Sequence, residues 1–190
     1  MASRRPQHDP GPPPDRATLH DAALQHLARY AATEAGLVRV LDRRIARWLR
    51  ESGAEPEEAA AAYEAARAVT RELAGAGAVN DAAFAAARTQ RLLRSGRSRR
   101  VVSAHLAAKG VTAEIVEQVL PDAEAELAAA LAYARRRRLG PFRGGDPDAD
   151  IAQWELGAMA RAGFPRAVAE RALGTDPAEA ETIVSRLKQG

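Results

Sequence analysis

A short stretch of this chain occurs twice. Leu106-Ala-Ala-Lys109-Gly110-Val111, followed by Ile115 and Leu120, lines up without gaps on Met159-Ala-Arg-Ala162-Gly163-Phe164, followed by Val168 and Leu173, 53 residues further on. In both copies an apolar residue stands four places before a glycine and another directly after it. That is the pattern of a helix that stops at a left-handed residue and turns back onto its own bundle. A fainter copy, Leu49-Arg-Glu-Ser52-Gly53-Ala54, leads to Tyr63. A unit recurring at such a period stacks on its neighbours, because one copy alone cannot bury its apolar face. The chain is therefore expected to be all-α, built from tandem three-helix repeats.

The start and stop signals place about nine helices. Thr18 is expected to cap the first, running to about Ala31 with Leu19, Ala23, Leu27 and Tyr30 on one face. Thr33 opens a second with Leu37, Leu41, Ile45, Trp48 and Leu49, stopping near Gly53, and Pro56 with Glu57 and Glu58 starts a third that ends near Gly75. Asn80 or Asp81 begins a fourth with Phe84, Arg88, Arg91 and Leu92, closed by Ser95-Gly96, and Ser98 begins a fifth that stops at Lys109-Gly110. Thr112 opens a sixth, which Pro121 interrupts or kinks before it resumes through Leu127 and Leu131 to Arg138. After the glycines and proline of Gly140 to Gly145, Asp148 opens a seventh with Ile151, Trp154, Leu156 and Met159. Pro165 starts a short eighth, and Asp176-Pro177 with Glu179 starts a ninth. The expected division is a disordered tail over 1–16, a divergent first repeat with an insertion over 17–78, a second repeat over 79–140, a loop over 141–147 and a third repeat over 148–190.

Apolar residues make up 46% of the chain but aromatic ones only 4%, so each helix has a thin apolar face suited to stacking. The longest β-branched run, Val101-Val102, lies within a helical stretch, and no strand is expected. There is no cysteine, which excludes a disulfide scaffold and thiolate chemistry. No segment approaches the roughly 18 consecutive apolar residues of a membrane span. Met1 to Asp15 lacks the apolar centre of a signal peptide. A cytoplasmic protein with no membrane partner is expected.

The usual catalytic patterns fail on spacing. His8, His20, His26 and His105 include no pair at i, i+4, which a helical metal site would need. Asp146, Asp148 and Asp150 imitate the start of a calcium loop, but Ile151 and Gly157 stand where glycine and glutamate belong, so a helix cap is expected there. Gly75-Ala-Gly77 lacks the third glycine of a dinucleotide fingerprint, and Ser185-Arg-Leu-Lys188 has no partner motif. Neither enzymatic activity nor a metal or cofactor is expected.

Charge is the positive signal. Net charge is only +3, yet no acidic residue lies between Asp81 and Glu114, a window holding Arg88, Arg91, Arg94, Arg97, Arg99, Arg100 and Lys109. Guanidinium forks grouped in this way suit phosphates or a partner's carboxylates. A second group, Arg135, Arg136, Arg137 and Arg138 with Arg143 beyond the Gly-Pro turn, surrounds a helix end. These eleven residues, Arg143 aside, are the candidate contacts for a partner or nucleic acid.

Four of these segments in order resemble the RecX family, bacterial proteins that modulate the recombinase RecA. Gly77-Ala-Val-Asn80-Asp81-Ala-Ala-Phe84-Ala85 resembles the family's junction, and Arg88 to Gly96 its arginine-rich helix and small-residue turn. His105 to Val111 is similar to its Leu-x-x-Lys-Gly-apolar motif, and Met159 to Phe164 to its third-repeat motif. The likeness covers about Thr18 to Leu187; it departs at Arg43 to Ser52, which looks inserted, at Ser52-Gly53 in place of Lys-Gly, and at Ala78. The resemblance implies an elongated, curved helical array, monomeric, that lodges in the groove of the RecA–DNA filament. It would there inhibit ATP hydrolysis, strand exchange and co-protease activity in DNA repair and the SOS response. The alternative is a helical module that binds single- or double-stranded DNA directly, without RecA.

Overall fold

The computed structural model describes residues 11–145 and 148–189. Among these residues there are ten α-helices, two 3-10 turns and no strand. The helices are α1 Arg16–Leu27, α2 Glu34–Ser52, α3 Ala60–Gly75, α4 Asp81–Arg94, α5 Arg99–Lys109, α6 Ala113–Val119, α7 Ala123–Arg137, α8 Ala149–Arg161, α9 Arg166–Leu173 and α10 Pro177–Gln189. None is long and apolar enough to cross a membrane. The chain forms two compact units, with the boundary inside α4 between Phe84 and Ala85.

In the first unit α1, α2 and α3 enclose one core. Leu19 and Ala23 meet Leu37, Leu41, Ile45 and Trp48 of α2, and Ala62, Ala66, Val69 and Leu73 of α3 complete it. The alanines let the helix backbones approach closely, and this close approach compensates for the scarcity of aromatic rings. Thr33 caps α2 through its Oγ1, 2.9 Å from the Gly36 amide, and Gly53 closes the helix at φ +66°. The stretch that looked inserted, residues 43–52, continues α2 without a break and supplies Ile45 and Trp48 to the core.

Two expectations for α1 need correction. The cap is Asp15, whose carboxylate accepts from the Thr18 amide at 2.8 Å, so Thr18 lies inside the first turn. The helix ends at Leu27, after which the Arg29 amide bonds to the His26 carbonyl three residues back rather than four, and Tyr30 is 61% exposed. Of the stretch expected as a tail, residues 1–10 lie outside the described residues. Pro12 to Asp15 line a groove with Arg44, Arg47 and Trp48, and the Trp48 indole N–H donates to the Gly11 carbonyl at 2.9 Å.

In the second unit the expected sixth helix is two helices. Leu120 adopts an extended conformation, ψ 141°, because the ring of Pro121 disfavours a helical residue before it. Asp122 then caps a new helix, accepting from the Ala125 amide at 2.8 Å. The resulting α7 is the centre of the unit: Leu127, Ala128, Ala129, Ala130, Leu131 and Ala134 are buried, and α9 and α10 pack against it.

The helix ends expose the repeat. After α5 the Gly110 amide bonds to the Ala107 carbonyl and Val111 to Leu106; after α8 Gly163 bonds to Ala160 and Phe164 to Met159. Gly110 and Gly163 have φ +84° and +89°, the left-handed conformation that a side chain disfavours. A second equivalence links α4 and α7 at an offset of 42 residues. Asn80 and Asp122 cap their starts, and Gly96 and Arg138 end them at positive φ with the same pair of amide bonds. The change of offset from 42 to 53 residues comes mostly from the connection between α7 and α8, residues 138–148, which is longer than residues 95–98 between α4 and α5, and partly from a longer α8.

That connection also overturns the expected apolar face of α8. Trp154 is 60% and Ile151 42% exposed, whereas Glu155 is buried. The Glu155 carboxylate is ion-paired with Arg143 and accepts from the Gly140 amide at 3.0 Å. Asp148 caps α8 through the Ile151 amide, the capping role expected of it; Asp146 lies outside the described residues.

Candidate partner-binding surface

The acid-free window falls on α4, the turn after it, and α5. Steps of three residues drift by about 60° around a helix, so Arg88, Arg91 and Arg94 spread over about 120° rather than sharing one direction. Arg88 turns inward: its Nε donates to His105 Nε2 at 2.8 Å. Only an imidazole without a proton on Nε2 accepts that bond. Burial, reinforced by the nearby cations of Arg88 and Lys109, holds the His105 pKa below its ordinary value.

Arg99 is also committed to the fold. Its guanidinium reaches the Pro121 carbonyl and the Glu117 carboxylate, both at 3.0 Å, while its backbone amide donates to buried Glu126 at 3.1 Å. The broken sixth helix is thereby tied to the start of α5. Arg100 is exposed, but its side chain packs beside Gly163, where a β-carbon would come within 2.9 Å of the Arg100 Nε. Close by, Ser98 Oγ donates to the Ala162 carbonyl at 3.0 Å. Arg100 and Arg99 border a groove of about 610 Å³ that also contains Glu117 and Glu126, so its charge is mixed.

Arg91, Arg94 and Arg97 remain. All are exposed, and none has an ion pair or hydrogen bond from its side chain among the described residues. Lys109 is exposed at the last turn of α5. The expected patch thus divides into two residues that hold the protein together, Arg88 and Arg99, and a smaller group presented outward.

The second arginine group is mostly engaged. Arg135 pairs with Glu181 at 3.1 Å, and Arg137 lies over the Tyr133 ring, 5.9 Å from its centre. Arg138 ends α7 at φ +57°, Arg143 is the partner of Glu155, and Arg136 is exposed. Sequence reasoning passed over a third set. Arg39, Arg43, Arg47 and Arg50 are all exposed on α2, and their four-, four- and three-residue spacing is the signal that would have found them.

Helical units closed by matching hydrogen bonds, with guanidinium groups on an outward surface, define a tandem three-helix repeat protein. Comparison with known proteins gives the family. The model of the second three-helix domain of RecX matches residues 80–120, which hold α4, α5 and α6. Regulatory protein RecX of Myxococcus xanthus (strain DK1622) is 42% identical over 165 residues, 84% of this chain and 86% of that protein. Regulatory protein RecX of Agrobacterium fabrum (strain C58) is 34% identical over 111 residues, 58% of this chain and 60% of that protein. A crystal structure of regulatory protein RecX superposes with a TM-score of 0.59 at 20% identity, over 83% of this chain and 70% of that one. RecX from Lactobacillus salivarius superposes at 0.58 and 15%, over 92% and 97%. The chain belongs to the RecX family.

Proposed function

We propose that this protein is a cytoplasmic, non-enzymatic regulator that binds the RecA–DNA nucleoprotein filament and inhibits RecA's ATPase, strand-exchange and co-protease activities. Relatives named as regulatory proteins support the reading, and one observation carries it: within the segment that matches the family model, Arg91, Arg94 and Arg97 stand exposed without an acidic partner among the described residues. Lys109, Arg100, Arg136 and Arg138 are further exposed candidates, whereas Arg88, Arg99, Arg135 and Arg137 are engaged by contacts within the fold. A filament built of protein and nucleic acid offers both carboxylates and phosphates to such a surface.

In this reading the tandem units are α1–α3, α4–α6 and α7–α9, with α10 added against α7. The grouping is supported by the equivalent ends of α4 and α7 and of α5 and α8. Repeats that each touch a different protomer add weak affinities through a high effective concentration.

The test is the double substitution Arg91→Glu, Arg94→Glu. Both sites are exposed, so the fold should change by less than about 0.5 kcal/mol. Each change removes an attraction and adds a repulsion, so inhibition of RecA ATP hydrolysis on single-stranded DNA should be lost. A variant with unchanged circular dichroism that inhibits like the parent protein would refute this surface. A parent protein without effect on RecA would refute the reading as a whole.

A further inference from the structure

The outer face of α2 carries a row of cations that the RecA reading does not use. Arg39, Arg43, Arg47 and Arg50 recur at i, i+4, i+8 and i+11, which places them in a band about 80° wide and about 16 Å long on a helix of 3.6 residues per turn. Leu37, Leu41, Ile45 and Trp48 occupy the opposite side, in the core of the first unit. The row therefore lies on the side of α2 turned away from this core, and Arg47 also borders the groove formed with Pro12 to Asp15 and Glu51. The acidic residues of α2, Glu34, Asp42 and Glu51, fall outside the band.

Four exposed arginines elsewhere find acids. Arg16 pairs with Glu72 at 2.7 Å, Arg67 with Glu64 at 2.9 Å, Arg166 with Glu170 at 2.7 Å and Arg171 with Glu124 at 2.8 Å. Arg43, Arg47 and Arg50 have no such pair among the described residues, although they share one helix face at the spacing where a single glutamate would neutralise two of them. Like charges one turn apart repel and weaken the isolated helix, a cost that a polyanion bound across Arg43, Arg47 and Arg50 would relieve.

We infer that this face of α2 is a site for the phosphodiester backbone of a nucleic-acid duplex, read without regard to sequence. A row of about 16 Å spans about half a turn of duplex along its axis, so it meets a few phosphates before the strand winds away. Guanidinium forks bind phosphate oxygens in pairs. The band includes no exposed aromatic ring on which an unpaired base would stack, since Trp48 is only 8% exposed and belongs to the core. The site is thus suited to phosphates rather than to bases, and its use of duplex DNA does not require a recombinase.

The experiment is anisotropy of a labelled random-sequence duplex titrated with the full chain between about 50 and 200 mM salt. Arg43→Ala, Arg47→Ala, Arg50→Ala in one chain should reduce the salt slope, log K against log salt, by about 2.7, or about 0.9 for each phosphate no longer neutralised. The corresponding triple lysine variant keeps the charge and should retain most of the slope, and Arg166→Ala, which removes a paired arginine, should leave it unchanged. A folded triple alanine variant with the parent slope overturns the inference, as does a lysine variant that binds no better than the alanine one. A loss confined to single-stranded DNA or to polyglutamate competitor, with duplex affinity unchanged, also overturns it. Arg91 and Arg94 are intact throughout and RecA is absent, so failure here is distinct from failure of the proposed function.

Discussion

Replacing Arg143 with methionine would leave the Glu155 carboxylate buried and half-satisfied. Glu155 is 3% exposed, with one oxygen on the Gly140 amide and the other on Arg143. Removing one partner of a buried pair leaves an uncompensated charge and costs about 3–5 kcal/mol. The reverse change is milder. In Glu155→Gln the carbonyl oxygen still accepts from Gly140, and the Arg143 side chain, 20% exposed, reaches water, so the loss is about that of one charged hydrogen bond, about 1.5–3 kcal/mol.

The double variant Arg143→Met, Glu155→Met removes both charges and leaves only the Gly140 amide without its acceptor, a cost of about 1–3 kcal/mol. It should therefore be more stable than Arg143→Met alone. Urea unfolding followed by far-ultraviolet circular dichroism ranks the three variants. Hydrogen exchange at the Gly140 amide should remain slow in Glu155→Gln and become fast in the double variant. An Arg143→Met protein less destabilised than Glu155→Gln would refute the reasoning, because desolvation of the carboxylate would then not be the larger effect.

Two further outcomes follow from local geometry. Gly53→Ala meets no atom within 4 Å and should cost about 1–2 kcal/mol, the strain of a left-handed alanine alone. Gly96→Ala adds a β-carbon 2.7 Å from the backbone nitrogen of Tyr133 and should cost at least about 1 kcal/mol more in the same melts. For His105 the folded-state pKa lies below that of the unfolded chain, about 6.5, so the unfolded state binds the proton first. Stability should hold above that pH, decline as pH falls from about 6.5 toward the folded pKa, and decline less in His105→Gln.

The helix closures were legible because they are local. A glycine between Leu106 or Met159 and the following Val111 or Phe164 needs only its own freedom at positive φ and amide bonds within six residues of chain. The family resemblance was legible for the same reason, since it rests on these short segments in order. Pro121 was visible too, and with Leu120 extended before it and Asp122 capping after it the break is local; the ties of Arg99 to Pro121 and Glu126 across it were not.

The fate of each arginine lay beyond the sequence. Arg88 reaches a partner 17 residues away and Arg135 one 46 residues away, and periodicity says nothing about such distances. The same limit made α8 misleading. Trp154 looks like a core residue and Glu155 like a surface one until Arg143, delivered by the lengthened connection, brings a charge to Glu155 and makes its burial tolerable. Neighbouring residues decide backbone conformation because its strain and its hydrogen bonds are settled within a turn or two. Packing decides which charges remain for a partner, because only the assembled helices bring opposite charges within reach.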